Sequence, residues 1–248
     1  MLALAQRLTD LIAPPVCALC GADGQRWDEW WGLDLCRCCE QACTAVPSPC
    51  PRCGEAQTGT ANTCAQCERE PPAYDATYSP FCYADPVDLL ITNLKFRHEL
   101  VHARVLGMLF ARAFVATAAS LPQCIVPMPL HPTRYRERGF NQTAEIARHL
   151  APRLIKAYGR PLPIRRDLLQ RIRSTLPQSE LAAAARSTNL HGAFRACHKH
   201  AMPAHVALLD DVMTTGHTAA AAAAALKDAG CRRVEIWACA RALRQPAT

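Results

Sequence analysis

Short apolar runs alternate with polar, turn-forming stretches over the last two-thirds of the chain. Runs of this kind predict buried strands, and the longer stretches between them predict helices. The last part of the chain predicts one β-α-β unit, with strands at Val206 to Leu209 and Val234 to Ala240 and a helix from Thr218 to Ala229. Gly230 supplies the turn that ends this helix. The pattern therefore indicates an α/β fold.

The same pattern predicts further elements before this unit. They are a strand near Thr77 to Tyr83, helices near Val87 to Phe96 and Ala103 to Ala118, a strand at Ile125 to Met128, and a helix that starts near Gln142. The stretch R-Y-R-E-R-G-F-N-Q before the last helix is polar and predicts a loop. Pro152 is expected to kink or end that helix. The Pro71-Pro72 pair predicts a linker, which divides the chain into residues 1–72 and residues 73–248.

Cysteines dominate the first of these two segments. Of the 15 Cys in the chain, ten fall between Cys17 and Cys67. Eight of the ten form C-x-x-C pairs, namely Cys17/Cys20, Cys36/Cys39, Cys50/Cys53 and Cys64/Cys67. The first two pairs are 15 residues apart and the last two are 10 apart, so each set can supply one tetrahedral thiolate site. We therefore expect two zinc ions, bound by sequential pairs in preference to a cross-braced arrangement.

A disulfide framework is the alternative for so many cysteines, but it requires an exported protein. Met1 to Val16 carries Arg7 and Asp10 within its apolar stretch and lacks a basic start, which is unlike a secretory signal. Reduced thiols bind metal, and four protein sulfurs leave no open position for a substrate. The two zinc sites are thus predicted to be structural. Cys38 and Cys43 are spare thiols, and a substitution of Cys38 for a ligand stays open.

The positive charge of the chain is concentrated in one stretch. The formal net charge is +7, and residues 134–173 alone contain eleven Lys or Arg against three acidic residues. A stretch of this kind favours polyanions such as nucleic acid or pyrophosphate, although some of these arginines merely solvate helix faces. No apolar run approaches the length of a membrane span, so no membrane insertion is expected.

The residues after the Val206 strand carry the most specific chemistry. They read D-D-V-M-T-T-G-H-T from Asp210 to Thr218. Unpaired N–H groups and the positive dipole end of the following helix suit a phosphate there, and Gly216 lets the backbone approach the anion. Asp210 and Asp211 can accept hydrogen bonds from two ribose hydroxyls. An ordinary strand-to-helix turn made of Thr, Gly and Asp is the alternative.

Four apolar residues followed by D-D-x-x-T-T-G-x-T resemble the phosphoribosyl-pyrophosphate (PRPP) fingerprint of type I phosphoribosyltransferases. That resemblance implies a Rossmann-like parallel sheet flanked by helices. Neither a P-loop motif nor a dinucleotide fingerprint occurs in the chain. The predicted fold class is therefore α/β, type I phosphoribosyltransferase-like, with an N-terminal double zinc ribbon.

Further motifs, in the same order along the chain, resemble the ComF family of competence proteins, which also includes GntX-like members. They are Lys95-Phe96-Arg97, V-P-M-P-L-H with Arg134 and R-G-F-N-Q, L-P-Q at Leu176 to Gln178, Arg186 with Asn189, and the Asp210 to Thr218 string. With the C-x-x-C pairs, the resemblance covers nearly the whole chain. It implies a cytoplasmic bacterial protein with a role in DNA uptake during natural transformation. Such a protein would handle incoming single-stranded DNA beside uptake proteins such as a competence helicase.

The resemblance also implies roles for individual residues. Asp210 and Asp211 would hold the ribose and are the candidate catalytic residues. Binding of the 5′-phosphate would fall to Thr214, Thr215, Gly216, His217 and Thr218. Binding of the pyrophosphate would fall to the turn around Pro127, Met128 and Pro129, and positive charge over the ligand would come from Lys95, Arg97, Arg134, Arg136 and Arg138. Magnesium would enter with PRPP and needs no protein cage.

Two functional classes remain open at this point. As an enzyme, the chain would be a phosphoribosyltransferase whose unidentified acceptor attacks PRPP while positive groups stabilise the departing pyrophosphate. As a binding module, it would keep a PRPP-like pocket for a nucleotide or a DNA terminal phosphate, with zinc ribbons and the basic stretch holding DNA or a partner. His131 and His217 are candidate proton carriers in the first class, although a loop histidine more often only makes hydrogen bonds. Fold alone does not choose between the classes.

Overall fold

The structure is a computed structural model that describes residues 14–28, 31–58, 62–117, 119–173, 192–197 and 201–244. Within these residues a five-stranded sheet, parallel at every pairing, lies between helices on both faces. This arrangement confirms the predicted α/β fold. None of the described helices combines the length and the apolar character that a membrane span needs.

The elements are numbered in chain order. The described strands are β1 (Gln25–Asp28), β2 (Trp31–Leu33), β3 (Ala76–Tyr78), β4 (Phe81–Cys82), β5 (Cys124–Pro127), β6 (Leu169–Arg171), β7 (Phe194–Ala196), β8 (His205–Met213) and β9 (Arg233–Arg241). The described helices are α1 (Arg37–Gln41), α2 (Ala65–Arg69), α3 (Val87–Thr92), α4 (Val101–Ala116), α5 (Pro132–Arg138), α6 (Gln142–Tyr158) and α7 (His217–Asp228). A π-helical turn (Asn93–Arg97) follows α3 directly.

Strands β8 and β9 form the centre of the sheet, whose order is β3, β9, β8, β5, with the short β4 also beside β9. Helices α4 and α6 cover one face, where the rings of Phe110 and Phe114 lie 5.5 and 4.6 Å from the ring of Trp237. Helix α7 covers the other face with the buried side chains of Ala222 and Ala223. Because alanine adds little bulk, the alanine run lets this helix lie close to the sheet.

Two upstream predictions change in detail. The strand predicted at Thr77 to Tyr83 is interrupted, because Ser79-Pro80 separates β3 from β4 while both pair with β9. Proline has no N–H to donate to a neighbouring strand, so a break there is expected. The helix predicted to reach Phe96 keeps α-helical hydrogen bonding to Thr92 and then widens into the π-helical turn.

The polar stretch after β5 contains a helix, so the loop predicted there is wrong. Helix α5 begins behind His131, whose Nδ1 accepts a hydrogen bond from the Thr133 N–H, and Pro132 fills the first helical position. It ends at Gly139, which has φ +77°. These capping signals outweigh the absence of apolar periodicity. Pro152 lies inside α6 and does not end that helix.

Two cysteine-rich ribbons pack against the α/β part. The first ribbon contains Cys17 to Cys39 and the second contains Cys50 to Cys67. The first contacts α4, where the Arg104 guanidinium lies 2.9 Å from the Asp34 carboxylate and donates to the Gly32 carbonyl at 2.6 Å. The second is joined to the sheet by Arg241, the last residue of β9. The expected domain boundary at residue 72 stays a prediction.

The side chain of Arg241 is only 2% exposed and is surrounded by acceptors. Its guanidinium donates to the carboxylate of Glu55 at 2.7 Å and to the carbonyl of Cys53 at 3.1 Å, both in the second ribbon. It also donates to the carbonyl of Met213 at 3.0 Å and to that of Thr214. One buried charge thus joins the second ribbon, the end of β9 and the loop that follows β8.

Replacing Arg241 by Met should lower the free energy of unfolding by roughly 3–5 kcal/mol, because the Glu55 carboxylate is then left buried without its main partner. Arg244 is the matched control. Its guanidinium is 61% exposed and lies 3.8 Å from the same carboxylate, so Arg244→Met should cost less than about 1 kcal/mol. Denaturant unfolding of the two variants measures both values. Equal losses would contradict the importance given to Arg241.

Candidate functional site

The loop between β8 and α7 has the geometry of an anion site. Gly216 precedes α7 with φ +79°, a conformation that residues with a side chain rarely adopt. A Cβ at this position would lie 2.8 Å from the Tyr74 hydroxyl and 2.9 Å from the Met213 Cε, so space also requires glycine. The first N–H groups of α7 have no partner within the helix. Thr215 Oγ1 lies 3.2 Å from His217 Nδ1, which ties the loop to the first turn.

The two aspartates lie within β8, which extends beyond the predicted end at Leu209. The carboxylate of Asp211 is buried, and its Oδ1 lies 3.0 Å from Lys95 Nζ and accepts a hydrogen bond from the Val212 N–H. Its Oδ2 is buried and has no hydrogen-bond partner among the described residues. A buried acceptor without a partner costs roughly 1–3 kcal/mol. This oxygen therefore points to a ligand that donates to it or coordinates it.

Charge and burial shift the protonation of this group of side chains. Burial and the neighbouring charge of Asp211 raise the pKa of Asp210 to about 7, although Lys95 opposes the shift. Burial disfavours the charge of Lys95, but Asp211 and Asp210 outweigh that effect and raise the Lys95 pKa. Asp210 therefore changes its charge close to neutral pH, and a bound cation would favour its ionised form.

Two half-buried arginines lie beside the aspartates. Burial lowers the pKa of Arg138, and the charge of Asp211 counteracts this; the same holds for Arg171 and Asp210. The guanidinium of Arg138 donates to Gln142 at 2.6 Å and lies 6.0 Å from the Phe96 ring centroid, and Arg171 lies 5.6 Å from that of Phe194. Arg138 thus belongs to the wall of the site. Its neighbours in α5, Arg134 and Arg136, are exposed.

The turn after β5 lies next to the same edge of the sheet. The N–H of Met128 donates to the carbonyl of Leu209 at 2.8 Å, which continues the pairing of β5 with β8. The Met128 carbonyl accepts hydrogen bonds from Asn141 Nδ2 at 3.0 Å and from Thr143 Oγ1 at 3.2 Å. These bonds fix the turn against the start of α6. A cleft of about 620 Å³ opens beside it, lined among others by Pro127, Pro129, His131, Tyr135 and Arg171.

Parallel pairing explains why most of the predicted residues lie close together. The carboxyl ends of β5 and β8 meet at one edge of the sheet, which brings the turn at Pro127 to Pro129, the two aspartates and the loop from Thr214 to Thr218 together. Lys95 reaches the same edge from the π-helical turn, whereas Arg97 is exposed. The predicted motif residues Leu176 to Gln178, Arg186 and Asn189 lie outside the described residues.

The eight paired cysteines form two clusters. One consists of Cys17, Cys20, Cys36 and Cys39, and the other of Cys50, Cys53, Cys64 and Cys67. Within each cluster the four sulfurs lie within 4.8 Å of one another. Sulfurs of Cys20 and Cys36 are 3.7 Å apart and those of Cys53 and Cys64 are 3.6 Å apart, close to the roughly 3.8 Å of a zinc tetrahedron with 2.3 Å bonds. The predicted sequential pairing is confirmed, and Cys38 and Cys43 belong to neither cluster.

Backbone N–H groups favour the thiolate of one cysteine in each cluster. Burial opposes ionisation of Cys17 and Cys50, but surrounding backbone hydrogen bonds outweigh it and lower the pKa of the two thiols to about 6 and about 7. Burial and the neighbouring sulfurs raise the pKa of Cys39 and Cys67 in the same clusters. Gly21 and Gly54 follow the first pair of each cluster with positive φ, and their N–H groups donate to the Cys17 and Cys50 carbonyls. A tight turn therefore follows the first pair of each cluster, and each cluster can hold a zinc ion.

Two contributors to the site were missed by sequence reasoning. Arg241 directly follows the apolar run Val234 to Ala240, and a charge at the end of a buried strand is a signal that could have identified it. The hydroxyl of Tyr74 packs against Gly216, and no pattern in the sequence connects these two residues.

The fold and the site define the class of protein. It is an α/β protein in which an aspartate pair precedes a strand-to-helix loop, and its parallel sheet is joined to two four-cysteine clusters. No family model matches the chain. It is 32% identical over 237 residues to DNA utilization protein YhgH of Salmonella typhimurium, covering 94% of this chain and all of that relative. Competence protein F of Haemophilus influenzae is 30% identical over 84% of this chain and 90% of its own, and competence protein ComFC of Bacillus subtilis is 26% identical over 87% and 90%. The chain belongs to the ComF family.

Purified protein is expected to contain two zinc ions per chain, one for each cluster. Replacing Cys17 and Cys20 by Ser, or Cys50 and Cys53, should remove one ion each and leave the other. A control variant with Cys38 and Cys43 replaced should keep both ions. Elemental analysis gives the zinc content, and circular dichroism after chelation should show unfolding of the ribbons. Less than one zinc per unmodified chain would contradict the assignment.

Proposed function

We propose that the chain is a cytoplasmic competence or DNA utilisation protein that binds PRPP with magnesium and handles single-stranded DNA. Support for the general role comes from the names of its relatives, which are called DNA utilization protein and competence proteins. Support for a ribose-phosphate ligand comes from the geometry at the carboxyl edge of the sheet. A DNA-uptake protein, such as a helicase, is the proposed partner.

The single observation that carries the PRPP proposal is the unpaired, buried Oδ2 of Asp211 directly before an anion-type loop. The aspartate accepts hydrogen bonds from ribose hydroxyls, while the N–H groups at Gly216 and the first turn of α7 bind the 5′-phosphate. Lys95 and Arg138 lie beside the aspartates, where the pyrophosphate of the same ligand adds negative charge.

Magnesium fits the oxygen donors of this site. Asp210 and Asp211 provide carboxylate oxygens, the ligands that this ion prefers, and the phosphates of PRPP provide others. When bound, the ion neutralises phosphate charge. The carboxyl group of Asp210, with its pKa near 7, then stays ionised.

An active phosphoribosyltransferase is the second candidate function, and the cleft of about 620 Å³ beside the Pro127 turn favours it. A cleft of this size can accept a small acceptor molecule. The acceptor would form a bond to the anomeric carbon as the bond to the pyrophosphate breaks. Lys95 and Arg138 would stabilise the negative charge of the departing pyrophosphate. Pyrophosphate release from PRPP, measured with bases or single-stranded DNA as acceptors, tests this function. If no acceptor increases the release of pyrophosphate, only the binding function remains.

The DNA-binding proposal is supported by exposed positive charge on α5. Arg134 and Arg136 are exposed, whereas Arg138 is half-buried at the aspartates. Within residues 134–173 positive charges outnumber negative ones by eight. Contacts of arginines with phosphates release counterions, so binding should depend strongly on salt and little on base sequence. Because Arg138 lies at the aspartates and Arg134 and Arg136 are exposed, replacing only the two exposed arginines tests DNA binding separately from binding in the pocket.

Replacing both Asp210 and Asp211 by Asn should weaken PRPP–magnesium binding about 100-fold, because two charged acceptors are lost while the shape is kept. Asp228→Asn serves as the control, since Asp228 lies at the far end of α7. Calorimetry measures the affinities, and thermal unfolding checks that the variants fold. Unchanged affinity in the double variant would exclude this pocket.

Replacing Arg134 and Arg136 by Gln should weaken binding to single-stranded DNA and lower the salt slope by roughly 1.4, about 0.7 for each phosphate contact. The control is the replacement of Arg232 and Arg233, which removes the same charge at the opposite, amino-terminal edge of the sheet. Fluorescence anisotropy in a salt series gives both slopes. If the two variants have the same slope, α5 is not the DNA surface.

A further inference from the structure

A second cleft lies on the other side of the phosphate loop, between that loop and the second ribbon. Its volume is about 310 Å³. The side chains and backbone that matter here are those of Gln66, Pro72, Tyr74, Gly216, His217 and Ala220. Neither aspartate lines it. The loop therefore separates two spaces, one at the aspartates and one at the ribbon.

Tyr74 is the unusual residue of this cleft. Its side chain is buried, with 3% of the residue exposed, yet its hydroxyl has no hydrogen-bond partner among the described residues. The hydroxyl lies behind Gly216, at 2.8 Å from the position that a Cβ would take there. A tyrosine hydroxyl is neutral at physiological pH and can therefore donate a hydrogen bond. A hydroxyl at a cleft wall, without a partner among the described residues and beside a helix N-terminus, points to a ligand that accepts a hydrogen bond from it.

The charges of the cleft favour a neutral group. Its charged side chains are two acidic and two basic ones, together with Cys53, Cys64 and Cys67, which are thiolates when the second cluster holds zinc. The basic pair, Arg241 and Arg244, lies at 2.7 and 3.8 Å from Glu55. Glu70 accepts a hydrogen bond from Gln66 at 3.3 Å. A second phosphate thus finds no unbalanced positive charge here. The volume, at the lower end of ligand pockets, suits one nucleoside.

We infer that the site holds the 3′-terminal nucleotide of a single-stranded DNA, with the preceding nucleoside in the cleft at Tyr74. The inference rests on the proposed phosphate loop and extends it. A sugar whose 3′-hydroxyl donates to the aspartates has its 5′-phosphate at the loop. If that phosphate is a diester, its other ester oxygen continues into the cleft, where Gln66 and Tyr74 offer hydrogen bonds to the next nucleoside. PRPP fills only the aspartate side.

Two ligands of equal charge test the cleft. Thymidine 5′-methylphosphate and the dinucleotide thymidylyl-(3′→5′)-thymidine both carry one negative diester, and only the second places a nucleoside beyond it. Competition against labelled PRPP should give the dinucleotide about tenfold higher affinity. A 3′-O-methyl dinucleotide should bind more weakly than the free 3′-hydroxyl form, because the aspartates lose their donor. Equal affinity in either comparison overturns the inference.

Tyr74→Phe removes one hydroxyl and should reduce the dinucleotide preference, measured as the ratio of the dinucleotide and methylphosphate affinities, about threefold or more. Tyr135→Phe, which removes a hydroxyl from the 620 Å³ cleft, is the matched control and should leave the preference intact. A preference that survives Tyr74→Phe and also Gln66→Ala excludes this cleft. If PRPP binds but no dinucleotide preference exists, only the inference fails. If PRPP does not bind either, the proposed function fails with it.

Discussion

The buried guanidinium of Arg241 is the contact on which the arrangement of the site depends. It holds the Glu55 carboxylate of the second ribbon together with the carbonyls of Met213, the last residue of β8, and Thr214, the first residue of the loop after it. A buried charge without these partners would be costly, so ribbon, loop and strand end have to keep one common geometry. The same bonds occupy two carbonyl oxygens beside the N-terminus of α7, where free carbonyls would repel an anion.

The aspartate pair shows how this frame is used. Two adjacent carboxylates in a partly buried strand repel one another, and the raised pKa of Asp210 reflects that repulsion together with burial. Lys95 compensates only one oxygen of Asp211 and leaves the other unpaired. An oxygen that is buried and unpaired is unfavourable without a ligand, whereas hydroxyl donors or a divalent cation would satisfy it. These electrostatics are the physical basis of the proposed ligand site.

Much of the fold was predictable because its signals are local. The apolar runs of β8 and β9, the alanine run of α7 and the spacing of the C-x-x-C pairs each lie within a short stretch of sequence. Prediction failed where short-range capping competed with periodicity. Helix α5 has no apolar face to recognise, but His131, Pro132 and Gly139 stabilise its two ends. The break at Pro80 follows the same rule, since one missing N–H interrupts an otherwise continuous strand.

The sequence by itself determined the chemistry of the site: the D-D-x-x-T-T-G-x-T string, the eight thiols and the sequence neighbours that shape each turn. Tertiary structure alone decided which distant residues complete it. Lys95 lies at Asp211, and Arg241 joins the second cysteine ribbon to the loop. Tyr74 lies behind Gly216. These pairs are far apart along the chain, and crossovers between parallel strands bring them together, so no local pattern of residues encodes their contact.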